Sequence, residues 1–440
     1  MPKSAVVLTA DMVSELLEQK QFTHLYTLLK EMRAEDIAPL FENLEPTDAV
    51  RLFRLLPKTL AADTFVELDA TQQEDLIARF SDRELKAVLD DMFVDDTVDV
   101  IEEMPANVVK RIIQQSDEET RQSINEILDY PKDSAGSIMT TEYVDLRKDM
   151  VVAEAFAHIR ATGLNKETIY TCYVTDENRM LLGLVTVRTM LLSEASQRLE
   201  EIMETNIIFA RTLDDREDVA KQFDKYGFLA LPVVDRENRL VGIVTFDDAM
   251  DVIQEEAEED FEKMAALLPS DGEYLKTSAV QMAIKRMPWL IVLMFSAILT
   301  GSIILHFETL LAGAVGLTAF IPMLMDTGGN CGAQASTLVI RGLALNQVQF
   351  RDFFKVLWKE FRVSLMVGFV LAGLTFLRLL FFSEWDAGVA AVVATSLYCT
   401  VILSKAIGCS LPLLAKKVHL DPALMASPLI TTIVDMCSLM

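Results

Sequence analysis

What this chain lacks narrows its class before any motif is considered. Its five cysteines, Cys172, Cys331, Cys399, Cys409 and Cys437, lie far apart with no Cys-x-x-Cys pair, so neither a zinc site nor a disulfide framework is indicated. Phosphate loop, catalytic-triad spacing and His-Glu-x-x-His are all missing, and with them any indication of an enzyme. The N-terminus offers only a short apolar run at 5–8 before Asp11, which is no secretory signal, and the soluble part is expected to stay in the cytoplasm. Basic residues are scarce in the first 284 positions: 29 Lys and Arg stand against 58 Asp and Glu, whereas residues 285–440 hold 11 against 8. The first part is therefore a polyanion, a poor partner for nucleic acid or an anionic membrane surface and a good one for cations.

Charge is in turn nearly absent from long runs of the last third. With 440 residues and 51% hydrophobic content, the chain is expected to join soluble domains to a membrane part. Five spans are expected, at 288–307, 309–325, 363–382, 387–414 and from 424 onward, the last cut short five residues after Asp435. Arg378 can snorkel from the end of the third span, and Lys405 sits inside the fourth with no partner the sequence can name. Lys285, Arg286, Arg341, Arg351, Lys355, Lys359, Arg362, Lys416 and Lys417 fall on one side. Glu308, Glu384 and Asp386 fall on the other, which puts the N-terminus inside. Phe350, Phe353, Phe354, Leu357, Trp358 and Phe361 recur at helical spacing and predict an anchoring helix along the inner interface before the third span.

Residues 320–345 place acidic, amide and glycine residues inside this region. An ionised Asp near the centre of a span costs roughly 2.5 to 3.5 kcal/mol, so Asp326 and, beside it, Asn330 are candidate ion ligands. Gly328, Gly329 and Gly332, with Pro322 upstream, would allow an interrupted helix whose carbonyls face a pore. The alternative is that these glycines, with Ala333, Ala335 and Ser336, simply pack helices together. Asp435 is the second intramembrane carboxylate. If Pro428 opens the last buried helix, a rise of about 1.5 Å per residue puts Asp435 on the order of 10 Å into the membrane.

Residues 1–132 read as short helices cut by Pro39, Pro46, Pro57 and Pro105, with helix starts near Thr47-Asp48 and Ser81-Asp82; a degenerate repeat of a helix ending at a proline predicts a curved stack. Residues 133–252 contain a clearer repeat. Val174-Thr175-Asp176-Glu177-Asn178-Arg179 returns as Val234-Asp235-Arg236-Glu237-Asn238-Arg239, and Gly183-Leu184-Val185-Thr186 as Gly242-Ile243-Val244-Thr245, giving two small α/β units. Residues 247–268 then form an amphipathic helix with nine acidic residues and no basic one between Asp247 and Glu262.

The run Pro322-Met323-Leu324-Met325-Asp326, followed by Gly328-Gly329-Asn330, Gln334, Ser336-Thr337-Leu338 and Ile340-Arg341-Gly342-Leu343-Ala344, resembles the signature of the MgtE-type magnesium channels. The resemblance covers nearly the whole chain. It implies a multidomain protein: an all-α superhelical N domain at 1–132, an α/β tandem CBS pair at 133–252, an acidic connecting or plug helix at 253–284 and an α-helical transmembrane bundle of five spans at 285–440. It further implies a homodimer in the bacterial inner membrane that imports Mg²⁺ and is closed by cytoplasmic Mg²⁺. Pro428-Leu429-Ile430-Thr431-Thr432-Ile433-Val434-Asp435 matches the family's final span, where the Asp forms the central Mg²⁺ site, with Asp326, Asn330 and the Ala426 carbonyl as further lining. Candidate regulatory Mg²⁺ ligands are Asp91, Asp95, Asp215, Asp248, Asp251, Glu255, Glu256, Glu259 and Asp260. CBS pairs commonly sense adenine nucleotides through a Thr followed three residues later by Asp. Thr245 and Asp248 keep that spacing, Thr186 is followed by Thr189 instead, and these residues with Tyr170 and Arg188 are the candidate ATP contacts. Two other readings stay open: a divalent-cation secondary transporter coupled to protons or Na⁺, and a membrane-tethered nucleotide sensor without transport.

Overall fold

Prolines and capping residues decide where the N-terminal helices begin. In the computed structural model, which describes residues 8–269, 274, 277–307, 315–382 and 385–440, ten short α-helices run from α1 (Ala10–Glu18) to α10 (Glu118–Leu128). Pro46 is the first residue of α4 (Pro46–Phe53), and Pro57 and Pro105 precede α5 (Lys58–Val66) and α9 (Ala106–Gln115) as N-caps. The expected repeat is thereby corrected: these prolines open helices, where a fixed φ suits the first turn and the missing N–H needs no partner. The expected start at Ser81 is found. Ser81 and Glu84 form a capping box on α7 (Asp82–Leu89), and Arg54 also reaches Glu84 at 2.7 Å, holding its carboxyl down at about 2.

From α3 to α10 each helix packs on the one two places along, as α5 does on α7 and α7 on α9, which builds a superhelical stack. Phe41, Phe53, Phe65 and Phe80 run through its core, with the rings of Phe53 and Phe80 5.0 Å apart.

Two three-stranded sheets follow, with α11 (Val152–Thr162) after the first strand, α12 (Val187–Leu192) and α13 (Leu199–Ile202) between the sheets in sequence, and α14 (Arg216–Tyr226) after the fourth strand. In the first, β1 (Asp145–Arg147) lies parallel to β2 (Thr171–Thr175), which pairs antiparallel with β3 (Leu181–Thr186); β4 (Ala210–Arg211), β5 (Ala230–Val234) and β6 (Leu240–Thr245) repeat the pattern. The two hairpin turns are the same device. Asp176 accepts from the N–H groups of Asn178 and Met180 at 2.8 and 2.9 Å, and Asp235 from those of Glu237 and Arg239 at 2.8 and 2.9 Å. Each turn passes through a left-handed residue, Arg179 (φ 64°) or Asn238 (φ 62°). Asp176 is therefore the counterpart of Asp235, one residue away from the register expected from the shared Glu-Asn-Arg letters. Tyr143, Tyr173, Leu240 and Ile243 are buried between the sheets, and the Tyr143 hydroxyl donates to the Leu240 carbonyl at 3.1 Å.

β6 runs directly into α15 (Phe246–Met264), the expected acidic helix. The chain divides into two units, Met1–Ile253 and Gln254–Met440. In the second, α16 (Ala279–His306) starts at a Ser278–Gln281 capping box, a short α17 (Val315–Thr318) leads to α18 (Ile321–Ala344), and α19 (Phe353–Phe382), α20 (Ala387–Lys417) and α21 (Ser427–Leu439) complete a bundle. Helix α18 packs on α20 and α21, α19 on α20, and α16 on α21. Among the described residues, four helical stretches are long and apolar enough to cross a membrane: Ala279–His306, Phe350–Phe382, Ala387–Lys417 and Pro422–Leu439.

Three expectations change here. The second span was expected at 309–325, of which 309–314 lie outside the described residues; the helix observed is α18, which starts at Ile321 and carries the whole Gly-rich signature. No interruption occurs in it, because glycine permits a break without compelling one and Pro322 stands in the first turn, where it is harmless. The aromatic stripe expected on a separate interfacial helix lies, apart from Phe350 in the 3₁₀ turn just before it, in the first turns of α19, a continuous 30-residue helix longer than the hydrocarbon core requires. The run 5–7 and the loop charges Glu308 and Glu384, with Ser383, lie outside the described residues.

Candidate ion path and sensor sites

In α18 the glycines are packing surfaces. A Cβ on Gly328 would meet Val434 Cγ1 at 2.9 Å and Ser404 Oγ at 3.1 Å, one on Gly329 would meet Thr431 Cγ2 at 2.9 Å, and one on Gly332 would meet Ile430 Cγ2 at 2.8 Å. The small residues thus let α20 and α21 approach to backbone distance. Ser336 fixes the join by donating to the Met425 carbonyl at 2.9 Å, just before the buried Ala426, whose own carbonyl accepts from Ile430 at 3.3 Å.

The opposite face of α18 is polar. Asp326 and Asn330, one turn apart, are both exposed on the single chain, as are Gln334 and Arg341 further along. Asp435 lies on α21 one turn beyond Thr431, within electrostatic range of Asp326. Its Oδ1 is shielded from solvent and has no hydrogen-bond partner among the described residues. A shielded carboxylate oxygen without a donor is a place for a cation.

The partner of Lys405 is Glu360 of α19. The two side chains are 4% and 9% exposed residues whose Nζ and Oε2 lie 3.6 Å apart inside the bundle. Sequence reasoning passed over Glu360; its signal was a lone acid among Lys355, Lys359 and Arg362.

In the first unit several carboxylates lie within electrostatic range of one another. Asp95, at the start of α8 (Val94–Glu103), is buried, and its carboxyl accepts from the Asp96 N–H at 3.1 Å. Burial and then Asp248 push Asp96 up to about 7, and burial followed by Asp96, Asp247 and Asp248 pushes Glu167 up to about 8. Burial, Asp248, Asp96 and Glu167 likewise raise Asp95 well above the ordinary range. Glu142 closes the group by accepting from the Val94 N–H at 2.9 Å. The sequence analysis named Asp95 and Asp248 but not Asp96, the neighbour of Asp95, nor Glu142 and Glu167, which sit in no acidic run with them.

The other candidates are dispersed. Asp91 pairs with Lys58 at 2.7 Å, and Asp215 caps α14 (Arg216–Tyr226) through the N–H of Glu217 at 2.9 Å. Asp251 is raised by burial and by Asp247. Further along α15, Glu255 is exposed and Glu256, Glu259 and Asp260 are half-buried. Lys263 bridges Glu259 at 2.7 Å and Asp421 at 2.8 Å; burial opposes its charge, but these bonds to Asp421 and Glu259 outweigh that and raise its pKa. Among the described residues, no three His, Cys, Asp or Glu side chains stand ready-made around one metal position.

At the β6–α15 junction Thr245 donates its hydroxyl to Asp248, whose carboxyl also receives the Thr245 N–H at 3.3 Å. Burial pushes Asp248 up to about 6 against that bond. At the matching β3–α12 junction, where α12 spans Val187–Leu192, the hydroxyls of Thr186 and Thr189 lie 2.9 Å apart. Tyr170, 66% exposed, and the exposed Arg188 flank Thr186 on either side of the strand end.

A membrane bundle with carboxylates on its spanning helices, carrying a strongly acidic soluble unit, is the build of a cation transporter with its own attached domains. The sequence profiles agree: the divalent cation transporter family MgtE matches residues 321–440, the MgtE intracellular N domain 32–133, and the CBS domain 135–195 and 199–255. The chain is 34% identical over 434 residues to the magnesium transporter MgtE of Thermus thermophilus, covering 97% of this chain and 95% of that one. To the magnesium transporter MgtE of Bacillus subtilis it is 32% identical over 442 residues, covering 98% and 97%. A crystal structure of the cytosolic domain of the Mg²⁺ channel MgtE in complex with ATP superposes with a TM-score of 0.53 at 33% identity, covering 55% of this chain and 99% of that one. The chain belongs to the MgtE family of magnesium transporters.

Proposed function

We propose that two copies of this chain form a Mg²⁺ channel whose conducting path runs along the polar face of α18 and the Asp435 turn of α21. The observation that carries this reading is the shielded, donor-free Oδ1 of Asp435, close to the exposed Asp326. Two such chains related by a twofold axis would bring two Asp435 carboxylates together. Mg²⁺ gives up its water reluctantly, so a pair of carboxylates with the Asn330 amide and the backbone oxygens near Gly329 and Ala426 suits a partly hydrated ion. The basic residues at the ends of α16, α18, α19 and α20 favour an orientation with both termini of the soluble unit inside the cell.

The soluble unit would close the path when internal Mg²⁺ is high. Carboxylates as crowded as Asp95, Asp96, Glu167, Asp247 and Asp248 resist a compact arrangement until cations neutralise them, and α15 carries further acids in Asp251, Glu255, Glu256, Glu259 and Asp260 that cations would neutralise in turn. ATP would lie at the strand ends where Tyr170 offers a ring, Thr186 and Thr245 offer hydroxyls, and Arg188 offers a cation for phosphate. The test is electrical: in planar bilayers the purified chain should pass Mg²⁺ current that needs no gradient of protons or Na⁺. A strict requirement for either gradient would make it a coupled transporter instead.

A further inference from the structure

Glu360 and Lys405 are buried charges that the proposed ion path does not use. A charge inside a spanning helix is costly unless paired, and removing one partner leaves the other stranded. Their pairing ties α19 to α20 at 3.6 Å, and Glu360 Oε2 has no hydrogen bond of its own among the described residues. The pair is thus held by charge and by the packing around it.

What lies on the other side of α20 gives this tie its consequence. Ser404, the residue before Lys405, presents its carbonyl 3.2 Å from where a Cβ on Gly332 would stand, and its hydroxyl 3.1 Å from one on Gly328. Gly408, one turn on, lies against the Gly332 carbonyl. Gly328 and Gly332 in turn carry Val434, the neighbour of Asp435. Glu360 pairs with Lys405, Lys405 follows Ser404 in α20, Ser404 packs on Gly328 and Gly332, and these pack on Val434, so the place of α20 bears on where α18 and α21 meet.

We infer that the Glu360–Lys405 ion pair is a positioning device for the ion path: it holds α20 at the depth and rotation that bring Asp435 and the polar face of α18 into register. Both residues act through α20 and touch no transported ion. The inference rests on the path proposed above.

The experiment uses the full chain in proteoliposomes, comparing K405M, E360Q, the charge-swapped E360K/K405E and, as a reference for the path itself, D435N. Uptake is followed with a Mg²⁺-sensitive dye and normalised to folded, monodisperse protein. The single variants should raise the apparent KM for Mg²⁺ at least fivefold, because the ligands are displaced. The charge swap, which restores the pair in reverse, should return KM to within twofold of the native chain. A purely structural pair would lower the yield or Tm of the singles and leave KM unchanged in what folds, and that result overturns the inference. A charge swap as impaired as the singles overturns it too, since each charge would then be needed in its own place rather than as half of a pair. Native uptake by D435N would refute the path without altering how the pair variants rank.

Discussion

Gly408 of α20 lies against Gly332 of α18 so closely that the Gly332 carbonyl oxygen leaves no room for a Cβ on Gly408. Backbone cannot move aside as a flexible side chain can, so G408A must spread the two helices. Overpacking of this kind costs about 1 to 3 kcal/mol. The measurement is Tm in detergent together with Mg²⁺ uptake: G408A should lower both, while G373A and G301A, where a Cβ would meet nothing within 4 Å, should leave both near native. Equal behaviour of all three would mean the α18–α20 contact is looser than described.

Protonation should substitute for Mg²⁺ in the soluble unit. Asp96 and Glu167 titrate at about 7 and about 8 in the folded chain, above their ordinary values of 3.8 and 4.5. An acid whose folded pKa is raised binds more protons folded than unfolded, so its contribution is favourable below the ordinary value and is lost as pH rises through the folded one. Without divalent ions, hydrogen-exchange protection of α8 should therefore rise as pH falls from about 8 to about 5. Saturating Mg²⁺ should flatten that dependence. Protection that falls with acidification would contradict the crowding of these carboxylates.

The acidic face of α15 should report the same ion. D251N/E255Q/E259Q removes repulsion and ligands together, so protease cleavage near Glu258, suppressed by Mg²⁺ in the native chain, should no longer respond to it. Lys263 already partners Glu259, which makes K263M a useful companion: it should leave the Mg²⁺ response in place while loosening the tie to Asp421. Identical curves for the triple variant and the native chain would reduce the stripe to a solvated face.

ATP is a polyanion, and Asp248 stands among acids. Its binding at the Thr245 junction should accordingly raise Tm more with Mg²⁺ present than without. T245V should remove the ATP shift and keep the shift produced by Mg²⁺ alone. Loss of both would show that Thr245 supports the fold rather than a nucleotide.

The outline of this fold was legible because periodicity, capping boxes and apolar runs are local. Ser81, the hairpin repeat and the acidic α15 could each be read from a few neighbouring letters. What escaped depends on partners far along the chain. Whether glycines 328, 329 and 332 break a helix or seat one is decided by Thr400, Ile430, Thr431 and Val434. The register of the two α/β repeats is decided by where Asp176 and Asp235 close their turns, which identical neighbouring letters obscured. Glu360 became meaningful only opposite Lys405, and Asp96, Glu142 and Glu167 only once α8 met the sheets.

Mg²⁺ uptake by D435N in proteoliposomes is the most direct test of the ion path. The substitution keeps size and hydrogen bonding and removes the buried charge, so uptake per folded protein should fall at least tenfold, by about 1.4 kcal/mol or more. D326N should lose less, because Asp326 is open to water on the single chain. Undiminished uptake in D435N, or a larger loss in D326N than in D435N, would contradict the placement of the ion beside Asp435.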